Sequence, residues 1–133
     1  MVRTLVLALL VVAVLVPAGS ASQRTGFAFG RTGGNIRSFS VVIATDGRVR
    51  VSGPAAVGRR LLTRRQLGEL NRIAATGSFA SLPSWTSCEG TLPDVATTFI
   101  RVGPRTVRVH GDCVADYRRL WNALAHAVRL TYV

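Results

Sequence analysis

Apolar and polar side chains alternate in two runs on either side of Gly103-Pro104. Alternation with a period of two is typical of strands that have one buried face. In the hairpin that this pattern predicts, Ile100 lies opposite Val107 on an apolar face, and Phe99 lies opposite Arg108 on the other face. We therefore expect a β-hairpin in the last third of the chain.

Beyond this hairpin, apolar residues recur at intervals of three and four, which predicts an amphipathic helix. Its core stripe comprises Val114, Tyr117, Leu120, Trp121, Leu124 and Val128. Asp112 comes just before the stripe and is expected to cap the helix N-terminus. We interpret Tyr117 and Trp121 as core residues rather than as a ligand-binding pair.

The N-terminal half of the chain predicts a second group of strands. Phe27 and Phe29 alternate with small residues, and residues 35–45 are rich in β-branched side chains. Asp46-Gly47 indicates a tight turn, after which residues 48–52 alternate apolar and polar side chains. These features predict two or three strands before the first helix.

The first helix is predicted from its start and stop signals. Thr63 and Gln66 have the spacing of a capping box, and Gly77 follows the last periodic position as a helix-ending glycine. Residues 53–61 are interpreted as a linker and residues 84–93 as an irregular loop. The predicted fold is α+β in the order ββ(β)-α-ββ-α: an antiparallel four- or five-stranded sheet with two helices packed on one face.

Residues 1–21 have the layout of a secretory signal peptide. Arg3 precedes an apolar run from Thr4 to Val16, and small residues lead to a predicted cleavage site after Ala21. A membrane anchor is the alternative, but this run is shorter than the roughly 20 residues that a spanning helix needs. We expect a protein that is secreted or associated with the cell envelope, with no membrane span after cleavage and one domain over residues 22–133.

The chain is strongly basic, with seventeen basic residues against six acidic ones and a formal net charge of +11. Every basic residue is Arg, and the arginines are scattered rather than grouped in one block. A cationic surface of this kind favours anionic envelope polymers or acidic proteins as partners. Export from the cell argues against nucleic acid as a binding partner. The Arg59-Arg60 pair is either solvated charge or a processing site.

Two cysteines in an exported chain predict one disulfide, Cys88–Cys113. The bridge would close a loop of about 25 residues and stabilise the fold by ~3 kcal/mol in the chain-entropy model. A metal-binding pair is the alternative, but the two cysteines lack the close spacing that metal sites use.

No catalytic constellation is present in the sequence. The serines lack a GxSxG context, and the two histidines are too few for a zinc site. His110, Asp112 and Asp94 could touch a cation in an exposed loop, but they offer only proximity. We predict a non-enzyme with no catalytic residue, no metal site and no cofactor.

Five residues are candidates for binding: Arg31, Gly33, Gly34, Trp85 and Glu89. The adjacent glycines favour a turn over a phosphate cradle, because a strand rather than a helix follows them. Trp85 and Glu89 lie in the irregular loop that Cys88 anchors. They are candidates because binding residues often lie on loops that a scaffold holds in place. The alternative for Trp85 is that it caps the core.

The order of these signals resembles the emfourin-like family of small secreted bacterial domains. The features that carry the likeness are the strand before Arg31-Thr32-Gly33-Gly34, the Phe79-x-x-Leu82-Pro83 segment after the first helix, and Asp94 before the final hairpin and helix. The resemblance spans Phe27 to Leu130 and implies inhibition of a thermolysin-like metalloprotease. No inhibitory residue is carried over, because the matching positions are turn and core residues.

Two functions are therefore expected from the sequence. The first is a secreted, monomeric binding domain that inhibits an extracellular metalloprotease, the role that the resemblance implies. The second is a cationic, envelope-associated domain that binds anionic polymers through its arginines. An uncharacterised structural module is the remaining alternative.

Overall fold

The computed structural model describes residues 26–132, so the predicted signal peptide lies outside the described residues. This part of the chain contains two helices, α1 (Arg64–Thr76) and α2 (Ala115–Val128), and a short 3₁₀ turn at Phe79–Ser81. Its strands are β1 (Phe27–Thr32), β2 (Phe39–Ile43), β3 (Val49–Ser52), β4 (Ala55–Val57), β5 (Trp85–Ser87), β6 (Thr97–Val102), β7 (Arg105–His110) and β8 (Leu130–Tyr132).

The main sheet has six strands in the order β3-β2-β1-β6-β7-β5, and a small sheet pairs β4 with β8. The α+β class is confirmed. The predicted antiparallel sheet of four or five strands is wrong, because β5 is an additional edge strand that pairs in parallel with β7. The other neighbouring strands of the main sheet are antiparallel.

The two extra pairings form in segments that the sequence pattern predicts to be loop or linker. Strand β5 lies in the predicted irregular loop 84–93, and β4 lies in the predicted linker 53–61. Each has three residues, too few to display a recognisable alternation. Their partners are distant in sequence: Ala55 pairs with Tyr132, and Trp85 pairs with Arg108.

The predicted register of the C-terminal hairpin is confirmed. Ile100 pairs with Val107, and Phe99 pairs with Arg108. On one side of the hairpin Ile100, Val107 and Val109 are buried, whereas the Arg108 side chain on the opposite side is exposed. The sheet therefore has an apolar side and an uncovered side.

One hydrophobic core lies on the apolar side of the sheet and includes residues of both helices. Phe29 of β1 is fully buried and meets Trp121 of α2 edge-on, with ring centroids 5.2 Å apart. Leu124 of α2 is also fully buried, and Leu70 of α1 is 2% exposed. Removing a side chain such as Leu124 would leave a cavity, which typically costs about 2–5 kcal/mol.

The helix ends follow the predicted signals in part. The capping box of α1 is present: Thr63 Oγ1 accepts from the Gln66 N–H at 3.2 Å, and Gln66 Oε1 accepts from the Thr63 N–H at 2.9 Å. The predicted Asp112 cap is wrong, because Val114 occupies the N-cap position without a side-chain cap. Asp112 instead accepts from Arg118, with both carboxylate oxygens 3.1 Å from Nη1.

The predicted disulfide is present and joins Cys88, just after β5, to Cys113, just before α2. Gly111 fits closely against this bridge with a φ of +104°, and a Cβ there would lie 2.7 Å from Cβ of Cys88. The bridge thus ties the edge of the sheet to the start of α2.

Candidate functional site

The structure separates the five predicted binding residues into different surfaces. Arg31 is at the end of β1 on the helix side, and Gly33 and Gly34 follow it in the loop before β2. Trp85 pairs with Arg108 and lies on the uncovered side of the sheet. Glu89 is exposed in the loop after β5. The predicted residues therefore do not form one site.

The first surface, which we name the open sheet face, is the uncovered side of the main sheet. It comprises Val42, Arg50, Trp85, Phe99, Arg101 and Arg108. Six strands at the usual spacing of about 4.8 Å make this face about 24 Å wide. Within residues 26–132, no helix covers these residues: Val42 is 36% exposed, Trp85 is 53% exposed and the three arginines are exposed.

Charge on the open sheet face has one sign. Arg50, Arg101 and Arg108 lie on three different strands. All six acidic residues of the chain lie in turns, loops or helices, and none lies on a strand of the main sheet. Within residues 26–132, these three arginines also make no ion pair. The face is therefore a cationic surface without internal neutralisation.

The aromatic residues of this face are adjacent to its arginines. The guanidinium carbon of Arg108 lies 5.7 Å from the centroid of the Phe99 ring, and Trp85 pairs with Arg108 on the next strand. Phe99 in turn lies against Gly30, where a Cβ would be 2.9 Å from the ring atom Cε1. The row Gly30, Phe99, Arg108 and Trp85 thus places one aromatic residue on each side of Arg108.

The second surface is a cavity of about 630 Å³ on the helix side, which we name the Arg31 groove. Its lining includes Arg31, Ile36, Asp94, Tyr117, Arg118 and Trp121. The guanidinium carbon of Arg31 is 4.7 Å from the ring centroid of Tyr132 and 5.8 Å from that of Trp121. Cation–π contacts with two rings hold this charge at the edge of the groove.

Two docked loops form one wall of the Arg31 groove. The Asn35 N–H donates to the Asp94 carbonyl at 3.0 Å, and Asn35 Nδ2 donates to Asp94 Oδ2 at 3.2 Å. Gly34 permits this approach, because a Cβ there would lie 2.5 Å from the Asp94 carbonyl oxygen. A Cβ at Gly33 would have no neighbour within 4 Å among residues 26–132. Of the two predicted glycines, Gly34 therefore makes the close contact.

Tyr117 forms part of the groove wall, and two consecutive hydrogen bonds hold its hydroxyl in place. Its hydroxyl donates to Thr98 Oγ1 at 2.9 Å, and Thr98 donates to the Val109 carbonyl at 3.3 Å. Burial raises the pKa of Tyr117 to about 12, against the opposing effects of the Thr98 hydrogen bond and the positive charge of Arg108. Tyr117 is therefore a protonated, fixed donor rather than an acid–base group at neutral pH.

The residues considered for a cation site are each engaged elsewhere. His110 Nε2 is 3.0 Å from the Val95 carbonyl oxygen, Asp94 binds Asn35, and Asp112 binds Arg118. Within residues 26–132, no group of three or more His, Cys, Asp or Glu side chains is placed to hold a metal ion. In the same part of the chain, neither helix has the length and apolar character needed to cross a bilayer.

The chain matches no protein-family model, no curated protein and no solved structure. The resemblance to emfourin-like domains stays a prediction.

Proposed function

We propose that this chain is a non-enzymatic domain that binds an anionic polysaccharide of the cell envelope through the open sheet face. The observation that supports this proposal is the combination of Arg50, Arg101 and Arg108 with Trp85 and Phe99 on one uncovered surface that has no acidic residue. Guanidinium groups bind carboxylates in bidentate geometry. Aromatic rings pack against the apolar faces of sugar rings.

The distribution of the charges favours a polymer over a single small anion. Arg50 and Arg101 are three strands apart, which is about 14 Å at the usual strand spacing. Arg101 and Arg108 are on neighbouring strands, with Trp85 on the edge strand beyond. A chain with repeated negative groups can contact several of these positions at once, whereas a small anion can contact only one or two.

The proposal is tested by titrating the purified protein with polygalacturonate, neutral dextran and single-stranded oligothymidylate. We expect binding to polygalacturonate that weakens as NaCl rises from about 0.05 to about 0.5 M, because exposed charge pairs are screened. Replacing both Arg101 and Arg108 with Gln should weaken this binding about ten-fold, since each exposed contact contributes about 0.7 kcal/mol.

The matched control replaces Arg64 and Arg65 of α1, which are also exposed. Their replacement removes the same charge from the helix side. An equal loss in the control would show that net charge alone drives association. Equal binding to dextran, no binding to polygalacturonate, or tighter binding to oligothymidylate would contradict the proposal.

Inhibition of an extracellular metalloprotease is a second candidate function, and the loop between β1 and β2 favours it. Residues 33–38 are consecutively exposed, and the loop is anchored by Asn35 on Asp94. An exposed loop on a fixed base suits insertion into a protease cleft. Assay of the protein against secreted thermolysin-like proteases tests this role, and the absence of inhibition at micromolar concentration would exclude it.

A further inference from the structure

The Arg31 groove is a second concave site, on the opposite side of the sheet from the open sheet face. Its volume of about 630 Å³ falls within the ordinary range of about 300–1,000 Å³ for small-molecule pockets. A second hollow of about 480 Å³ adjoins it, and both are lined by Arg31 and Ile36. The two hollows give room for an elongated ligand that passes the Arg31 side chain.

Apolar side chains at this end of the molecule are unusually exposed. Ile36 is 42% exposed and Val95 is 43% exposed, and both line the groove. Tyr132 is 54% exposed and lines the adjoining hollow. These three are among the seven large hydrophobic residues exposed within residues 26–132. Their position around the two adjoining hollows indicates a ligand with an apolar body.

The polar groups of the groove itself leave one charge available, because Arg37 lines only the adjoining hollow. Arg118 is paired with both oxygens of Asp112, Asp94 accepts from Asn35, and the Tyr117 hydroxyl donates to Thr98. Arg31 has no acidic partner within residues 26–132, and the rings of Tyr132 and Trp121 hold its guanidinium in place. A ligand with a single anionic group would complete this arrangement.

We propose that the Arg31 groove binds a small monocarboxylate that has an apolar body. The carboxylate pairs with the Arg31 guanidinium, and the apolar body packs against Ile36, Val95 and the edge of Trp121. Asp94 and Asp112 also line the groove, so a ligand with several negative charges is disfavoured there. This ligand class differs from the polymer proposed for the open sheet face.

A fatty acid and the C-terminus of an apolar peptide both have this chemistry, and the test distinguishes them. Trp85 and Trp121 are the two tryptophans of the chain, so Trp85→Phe leaves Trp121 as a fluorescence reporter inside the groove. In this background the protein is titrated with octanoate and with N-acetyl-Leu-Phe. The neutral counterparts are octanamide and N-acetyl-Leu-Phe-amide.

We expect Trp121 fluorescence to change with at least one of the two acids, and its neutral amide to bind about ten-fold more weakly. That factor corresponds to one charge-assisted contact. The acid that binds identifies the source of the ligand. Arg31→Gln should abolish the preference of acid over amide. Arg64→Gln, which removes the same charge from the exposed surface of α1, should preserve it.

A second pair of variants keeps the test independent of changes around Arg31. Ile36→Glu introduces a negative charge at the rim and should weaken binding of the acid, whereas Ile36→Gln should weaken it less. Thermal unfolding of each variant confirms that it is folded. No response to either acid, equal affinity for acid and amide, or an unchanged preference in Arg31→Gln would overturn the proposal.

Discussion

At the scale of single residues, two adjacent glycines show how similar sequence signals lead to different roles. Both have positive φ, +70° at Gly33 and +65° at Gly34. A side chain at Gly33 would meet open space, whereas one at Gly34 would collide with the backbone of residues 94–96. The sequence predicts the turn, but only the contact with the distant loop distinguishes the two positions.

Alanine substitutions should separate the two glycines. Gly33→Ala should cost about 1 kcal/mol, the ordinary penalty of a left-handed conformation for a residue with a Cβ. Gly34→Ala should cost more than about 2 kcal/mol, because the loop at residues 94–96 must also move. Urea unfolding of both variants measures the difference, and equal losses would show that the loop contact contributes little.

Tyr117 gives a prediction about pH. Its pKa is raised to about 12 in the folded protein, against about 10 in an unfolded chain, so the unfolded state releases the proton first as pH rises. Titration of Tyr117 therefore leaves the free energy of unfolding unchanged below about pH 9. It lowers the free energy of unfolding by about 1 kcal/mol between about pH 9 and about pH 11.

The measurement is urea unfolding at a series of alkaline pH values, with Tyr117→Phe as the matched variant. The variant lacks the phenol that titrates, so its stability should fall less steeply over this interval. Parallel pH profiles for the two proteins would contradict the assignment of a raised pKa to Tyr117.

At the scale of elements, the Cys88–Cys113 bridge connects parts that local hydrogen bonds join only weakly. Strand β5 has three residues and, among the described strands, pairs only with β7, in parallel, with the Cys88 N–H donating to the His110 carbonyl at 2.8 Å. The bridge holds the end of this edge strand against the segment that leads into α2. Trp85 depends on that strand for its place on the open sheet face.

Replacing both cysteines with Ser should lower the free energy of unfolding by about 3 kcal/mol, the expected effect of opening a loop of this length. We also expect weaker polygalacturonate binding, because β5 would lose its anchor and Trp85 its fixed position. Urea unfolding and titration of the variant measure the two effects. A destabilised variant with unchanged binding would show that β5 does not contribute to the binding surface.

At the scale of the whole molecule, the sequence predicts the α+β class, the C-terminal hairpin and the apolar face of α2 because these are local periodicities. It does not predict the pairing of β4 with β8 or of β5 with β7. Each pairing joins a three-residue segment to a partner that is distant in the sequence, so no local pattern marks it. The outward positions of Phe99 and Arg108 are readable from alternation. Their placement on the same face as Arg50 and Trp85 depends on the strand order, which no local sequence pattern contains.

The proposed function requires that the polysaccharide contacts the open sheet face. Its most direct test is to map the backbone amide chemical shifts of the ¹⁵N-labelled protein during titration with short oligogalacturonate. We predict shifts concentrated at Val42, Arg50, Trp85, Phe99, Arg101 and Arg108, with little change around the Arg31 groove. Shifts concentrated at residues 33–38 or on α1, with the sheet unchanged, would contradict the account.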